Sequence, residues 1–293
     1  SYNNFDLLED GYGINLRPLS MFAAKTYGDD PCERFLPHVL DENIYDPVDT
    51  ILASKMHKAL AILEFKLEGQ LLHRHPEYEM NDRILLSKID FDTYTVEMEG
   101  KRYEMLDHHF PTVDPTDPIA LTAEEQELID QLSASFQHST LLLQHIRFLL
   151  QRGSMYKVIN NNLLYHGCLP MEEDGTLKKV PLGSELLSGK AFLDALDAKV
   201  RLAFYGPAGS SERINAVDGF WYLWAGPNSP LFGKSKVSAF ERYFIADAVT
   251  HKEIYNPYYT AVKKRSTCEM ILREFGLDPA NSHIVNGHVP VKE

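Results

Sequence analysis

Two apolar runs in this chain read as buried strands, and each opens directly onto histidine and glycine: Asn162-Leu-Leu-Tyr-His166-Gly167-Cys168 and His283-Ile-Val-Asn-Gly287-His288-Val289. A buried strand that ends in a sharp His-Gly loop places an imidazole at the strand's C-terminal edge. In layered α/β proteins that edge is where ligands gather, and neutral imidazole is a common metal ligand. Two such edges in one sheet would bring both rings to one ion. The plainer reading of each is a loop histidine hydrogen-bonded to backbone, and spacing alone does not choose between them.

The rest of the pattern is mixed. Val48, Ile51, Leu52, Leu60, Leu63, Leu67 and Leu71 keep roughly helical spacing. Pro47 suits the first position of that helix, and Pro76 marks its end. Thr93–Met98 and Lys101–Leu106 flank Glu99-Gly100 as a hairpin. Thr122-Ala-Glu-Glu125 is a capping box. It predicts one long helix that buries Leu128, Ile129, Leu132, Phe136, Leu142, Leu143, Ile146, Leu149 and Leu150 and stops at Gly153. Tyr156–Ile159, an asparagine turn and Leu163–Tyr165 predict strand, turn and strand. Ser188 caps a helix to about Phe204, and Asn256-Pro257 begins another that Gly276 closes. Helices interleaved with strands predict an α/β, or mixed α+β, fold.

A formal net charge of -13 argues against nucleic acid and against an anionic membrane surface as partners. Three scattered cysteines with no CxxC argue against a disulfide framework or a cysteine zinc site and favour a reducing cytoplasm. The most apolar stretch, near Leu141–Leu150, is too short and too polar to cross a bilayer. The N-terminus lacks the basic start and apolar core of a signal peptide. Gly11 and Gly13 make no dinucleotide fingerprint, because no strand precedes them and the third glycine is missing.

Asn160-Asn-Asn-Leu-Leu-Tyr-His-Gly-Cys-Leu-Pro170, Tyr222-Leu-Trp-Ala-Gly-Pro-Asn-Ser-Pro-Leu-Phe-Gly-Lys234 and Val285-Asn-Gly-His-Val-Pro-Val-Lys292 together resemble class III fructose-1,6-bisphosphatase, of the calcineurin-like metallophosphoesterase superfamily. The opening Leu8-Glu-Asp-Gly-Tyr-Gly-Ile-Asn-Leu-Arg-Pro18 and the loop Phe110-Pro-Thr-Val-Asp114 match as well, so the resemblance covers essentially the whole chain. It implies a β-sandwich of two stacked mixed sheets flanked by helices. It implies a dinuclear manganese or magnesium centre, and removal of the 1-phosphate of fructose 1,6-bisphosphate in gluconeogenesis. His166 and His288 match the family's two late histidine motifs, which ligate the same metal.

The early Asp-x-His, Gly-Asp-x-x-Asp-Arg-Gly and Gly-Asn-His-Glu/Asp motifs of the superfamily are absent from this sequence. The chain is therefore expected to be an internal fragment with an incomplete metal site, inactive alone. Its expected organisation is a start segment at 1–40, a largely helical insertion at 41–152 serving oligomer contacts or effector control, and a catalytic-domain portion at 153–293. The competing reading is a non-catalytic module that binds a phosphorylated metabolite.

Candidate phosphate or sugar contacts are Asn228, Lys234 and Arg242 around the Gly226-Pro-Asn-Ser-Pro loop, and the basic run Lys263-Lys264-Arg265. A solvated helix face is the default for that run. Trp221, Tyr222, Trp224 and Phe232 read as aromatics packing the loop, or as a pocket wall. His108-His109 and His73-Arg-His75 are spaced wrongly for one ion and read as surface residues.

Overall fold

A computed structural model describes residues 4–37 and 47–289. In chain order the helices are α1 (Arg17–Thr26), α2 (Pro47–Arg74), α3 (Ala123–His138), α4 (Thr140–Arg152), α5 (Gly189–Tyr205), α6 (Ser211–Ala225), α7 (Ala239–Phe244), α8 (Tyr258–Ala261) and α9 (Arg265–Glu274). The strands are β1 (Ile89–Asp90), β2 (Thr95–Met98), β3 (Lys101–Glu104), β4 (Tyr156–Ile159), β5 (Asn162–Tyr165), β6 (Val180–Leu182), β7 (Glu185–Leu187) and β8 (His283–Asn286). The fold is mixed α and β, as the sequence predicts, and among the described residues the strands form small sheets of three, three and two strands. The expected boundary at 40/41 and the closing Pro290–Lys292 of the third motif lie outside the described residues.

The chain divides into two compact units, residues 1–147 with 239–251 and residues 148–238 with 252–293. In the first, α2 is the central element and is buried on most sides, Ala59, Ile62, Leu63, Phe65 and Leu72 among its core residues. Its apolar spacing is therefore not a single stripe, and Ile51 and Leu67 keep substantial exposure. Two lysines are buried instead. Lys58 Nζ donates to Asp30 and, at 2.7 Å, to Asp107. Lys66 Nζ donates to Glu125 at 2.7 Å and to the Thr112 carbonyl at 2.6 Å. Carboxylates at both sites make the burial tolerable, since an isolated ammonium would be far costlier.

The capping box forms: the Glu125 amide donates to Thr122 Oγ1, and the Thr122 amide donates to Glu125 Oε2. The single long helix does not. Ser139 is extended in ψ and separates α3 from α4. Its hydroxyl donates to the Tyr12 carbonyl at 2.6 Å and accepts from the Leu142 amide, so one side chain both anchors the break and caps the next helix. The change of direction leaves Phe136 and Leu149, expected inside, exposed. The hairpin β2–β3 turns through Glu99 and Gly100, both at positive φ, as a tight two-residue turn requires.

In the second unit, β4, β5 and β8 form one sheet in that order. The β4–β5 connection is Asn160-Asn161, both left-handed, at φ of 50° and 59°. Asparagine tolerates that region better than other non-glycine residues, and it fixes a hairpin in which Tyr156 faces Tyr165. β8 then pairs with β5 in parallel, Asn162 against His283 and Tyr165 against Asn286. Leu163 and Tyr165 face the core made by Leu169, Met171, Phe192, Leu196, Tyr258 and Ile271.

Helices α5 and α6 approach closely at Gly219, where a Cβ would meet the Lys199 side chain at 2.7 Å. Trp221, Tyr222 and Trp224 belong to α6, which leads into the Gly226–Gly233 loop. The helix expected from Pro257 to Gly276 is broken. α8 ends at Ala261, Lys264 is extended, and α9 starts at Arg265, so Lys263 and Lys264 are not part of a helix face.

Candidate metal and phosphate site

β5 and β8 run the same way, so their carboxyl ends meet at one edge of the sheet. His166 follows β5, and Gly287 and His288 follow β8. The Gly287 amide donates to the His166 carbonyl at 2.8 Å, and Asn286 Nδ2 donates to the Gly167 carbonyl at 3.0 Å. These bonds extend the strand pairing past its last residue and clamp the two loops together. The imidazoles converge: His166 Nε2 lies 3.0 Å from His288 Nδ1, with ring centroids 5.0 Å apart and planes at 72°. His288 sits at a φ of 67°. A non-glycine residue held in that region stores strain, and such strain collects at functional sites.

Both histidines are exposed at this edge. Burial of the ring, the neighbouring His166 and the charge of Lys234 hold the His288 imidazole below its usual value, against an opposing contact with the Phe232 backbone. A lowered value keeps the ring neutral, the form that ligates metals. The spacing also fits a shared cation. Two nitrogens bound at right angles, each about 2.1 Å from one ion, would stand about 3.0 Å apart. Among the described residues no group of three or more His, Cys, Asp or Glu converges to hold a metal. The edge therefore offers two nitrogen donors and no completed shell.

The second sequence motif packs against the first. The Cys168 amide donates to the Pro230 carbonyl at 2.9 Å. A Cβ on Gly167 would stand 2.5 Å from the same carbonyl oxygen, which explains the glycine after His166. Ser229 is fully buried. Its hydroxyl donates to the Leu223 carbonyl at 2.5 Å and accepts from the Leu231 amide at 3.1 Å. Gly233, at a φ of 63°, turns the chain against Tyr259 and Cys168. Burial pushes the Cys168 thiol up to about 12 and so makes it unreactive. Gly167→Ala is expected to cost about 1–3 kcal/mol from forced overpacking. A urea melt measures this, and an unchanged midpoint would show that the loop yields freely.

The six phosphate-contact candidates lie on several elements. Lys234 follows the Gly226–Gly233 loop, and its charge acts on His288. Asn228 is half-buried in that loop. Arg242 lies on α7 in the first unit, where it donates to the His251 carbonyl. Lys263, Lys264 and Arg265 are exposed, and Arg265 pairs with Glu269 at 2.8 Å. The other histidine pairs are engaged elsewhere. His75 is buried, not on the surface: it lies 2.7 Å from Glu77 and stacks on Tyr78. His108 bonds the Met105 carbonyl, and His109 bonds Asp30. Sequence reasoning missed Glu253, which pairs with Lys234 at 2.8 Å. No local signal marks it, because the two are joined only by tertiary structure.

A family described as Firmicute fructose-1,6-bisphosphatase matches residues 1–293. The chain is 49% identical over 291 residues to a protein of Clostridium novyi (strain NT), covering 99% of this chain and 44% of that relative. It is 50% identical over 291 residues to one of Clostridium tetani (strain Massachusetts / E88), covering 99% and 44%. It is 48% identical over 292 residues to one of Listeria innocua serovar 6a, covering 100% and 45%. All three are named fructose-1,6-bisphosphatase class 3. The chain thus spans less than half the length of these relatives. No solved structure matches it.

Proposed function

Because the chain belongs to the Firmicute fructose-1,6-bisphosphatase family, we propose that it is part of a two-metal phosphatase that removes the 1-phosphate of fructose 1,6-bisphosphate, with His166 and His288 as ligands of one cation. The observation that carries this reading is the 3.0 Å approach of the two imidazole nitrogens at the shared end of β5 and β8.

Manganese or magnesium held by His166 and His288 would supply Lewis acidity toward a bound phosphoryl group. The chain's own residues do the positioning. Gly287 and Asn286 lock the two loops, and the Pro230 carbonyl ties the Gly226–Gly233 loop to Cys168, so the backbone segments that carry the two rings keep their separation. His166 and His288 present their ring nitrogens as donors. Two imidazoles leave most of a shell of about six ligands to other groups. On its own the 293-residue chain is therefore proposed to bind manganese weakly and to turn over no bisphosphate.

No described helix is long and apolar enough to cross a membrane. Three free cysteines fit a reducing, cytoplasmic setting. The deciding assay uses protein made from the complete reading frame that contains this sequence. With manganese it is expected to release phosphate from fructose 1,6-bisphosphate, a chelator should stop the release, and added manganese should restore it. Tight binding of the sugar bisphosphate with no release would replace this reading with that of a regulatory module.

A further inference from the structure

We propose that Lys234 is the phosphate anchor of this edge: its ammonium, held by Glu253 and Tyr255 beside the imidazole pair, takes a phosphoryl oxygen of the sugar bisphosphate. The proposal rests on the phosphatase reading of the His166–His288 edge and adds to it the residue that grips the substrate.

The backbone around Lys234 is fixed on both sides. Gly233 accepts from the Asn256 amide at 2.9 Å, and Lys234 bridges to Tyr255 in an antiparallel pair. The residue before it, Gly233, packs against Cys168, where a Cβ would stand 3.2 Å from the Cys168 sulfur. The chain therefore passes the loop that carries His166 immediately before it reaches Lys234. The ammonium is placed as firmly as the backbone. It lies 2.8 Å from Glu253 Oε2 and 5.4 Å from the centre of the Tyr255 ring. The other oxygen of Glu253 accepts from the Ser238 amide at 3.1 Å and from the Ser238 hydroxyl at 2.8 Å, so the carboxylate cannot follow a wandering lysine.

An ammonium has three donors, and this pairing uses one. The side chain keeps 26% of its exposure, enough for an incoming anion to reach the remaining hydrogens. Lys263 and Lys264 are exposed. A pre-placed cation next to metal donors suits phosphate better than a solvated lysine, whose side-chain entropy must be lost on binding.

The test compares Lys234→Met and Lys234→Arg in protein from the complete reading frame, with inorganic phosphate as the probe. Phosphate affinity is read from product inhibition and, independently of turnover, from the phosphorus NMR linewidth with manganese present. Lys234→Met is expected to weaken phosphate by about tenfold or more, with manganese affinity unchanged and most of the loss recovered by Lys234→Arg. Phosphate affinity within about twofold of the parent in the methionine variant would overturn the proposal, because a charge-assisted contact cannot be that weak. If the methionine variant does not fold, Lys234→Gln is judged by the same criterion. His166→Ala in the same titration separates the two ideas. It should lose manganese whatever Lys234 does, so a failure at Lys234 alone leaves the phosphatase reading standing.

Discussion

Replacing His166 with alanine in the complete protein is expected to weaken manganese binding by at least about a hundredfold and to take phosphate release down with it. Disturbing a residue that merely orients a metal ligand already costs about 10–100-fold in affinity, and this substitution removes the donor itself. The remaining ring cannot compensate. His288 is held at a φ of 67° by its loop, with Gly287 bonded to the His166 carbonyl, so it has little freedom to re-aim. The backbone bond to residue 166 survives the substitution, so the fold should persist and the loss should be specific to metal. His288→Ala should behave alike. His283→Ala, on the exposed face of β8, should leave manganese affinity untouched. Metal titration by equilibrium dialysis, with activity followed to high manganese, reads both effects. Partial return of activity at high metal marks a lost ligand. Undiminished manganese affinity in His166→Ala would remove the two histidines from the metal site altogether.

Features set by a few adjacent residues were legible in the sequence. Asn160-Asn161 announces a tight turn because two consecutive left-handed residues are needed there and asparagine tolerates them. Thr122 and Glu125 announce a helix start because both halves of the capping box lie within one turn. The imidazole pair was legible for a related reason: each ring directly follows a strand, and parallel strands share an end. The convergence of the two on one ion came from the family resemblance and not from spacing, since 122 residues separate His166 from His288 and packing brings β8 beside β5. The break at Ser139 escaped because its cause is the distant Tyr12 carbonyl, while the local apolar spacing continues unbroken. Nothing local marks Lys58 and Lys66 as buried, and their carboxylate partners from other segments put them inside. The same limit applies to the site. The sequence offered six candidate contact residues, and the pairing of Lys234 with Glu253 is a tertiary fact that no local pattern announces.

The largest stability effect is expected at one such tertiary contact. Glu125→Ala should lower the stability of the first unit by about 3–5 kcal/mol, because it leaves the Lys66 ammonium buried without a counter-charge. The loss of half a capping box adds about 1 kcal/mol. Glu125 has almost no exposure, and a single oxygen, Oε2, serves both Lys66 and the Thr122 amide at 2.7 Å. The Thr112 carbonyl, 2.6 Å from the ammonium, satisfies one proton but carries no full charge to balance it. Glu125→Gln keeps an acceptor for the Thr122 amide and should cost less than alanine. Lys66→Met should cost about as much as Glu125→Ala, since it strands the carboxylate instead. The decisive measurement is the double variant Lys66→Met with Glu125→Gln, melted in urea. With both charges gone and the cap retained, its loss should fall well below the sum of the two single losses. A strictly additive result would mean that lysine and glutamate are buried independently and that the pair does not join α2 to the start of α3.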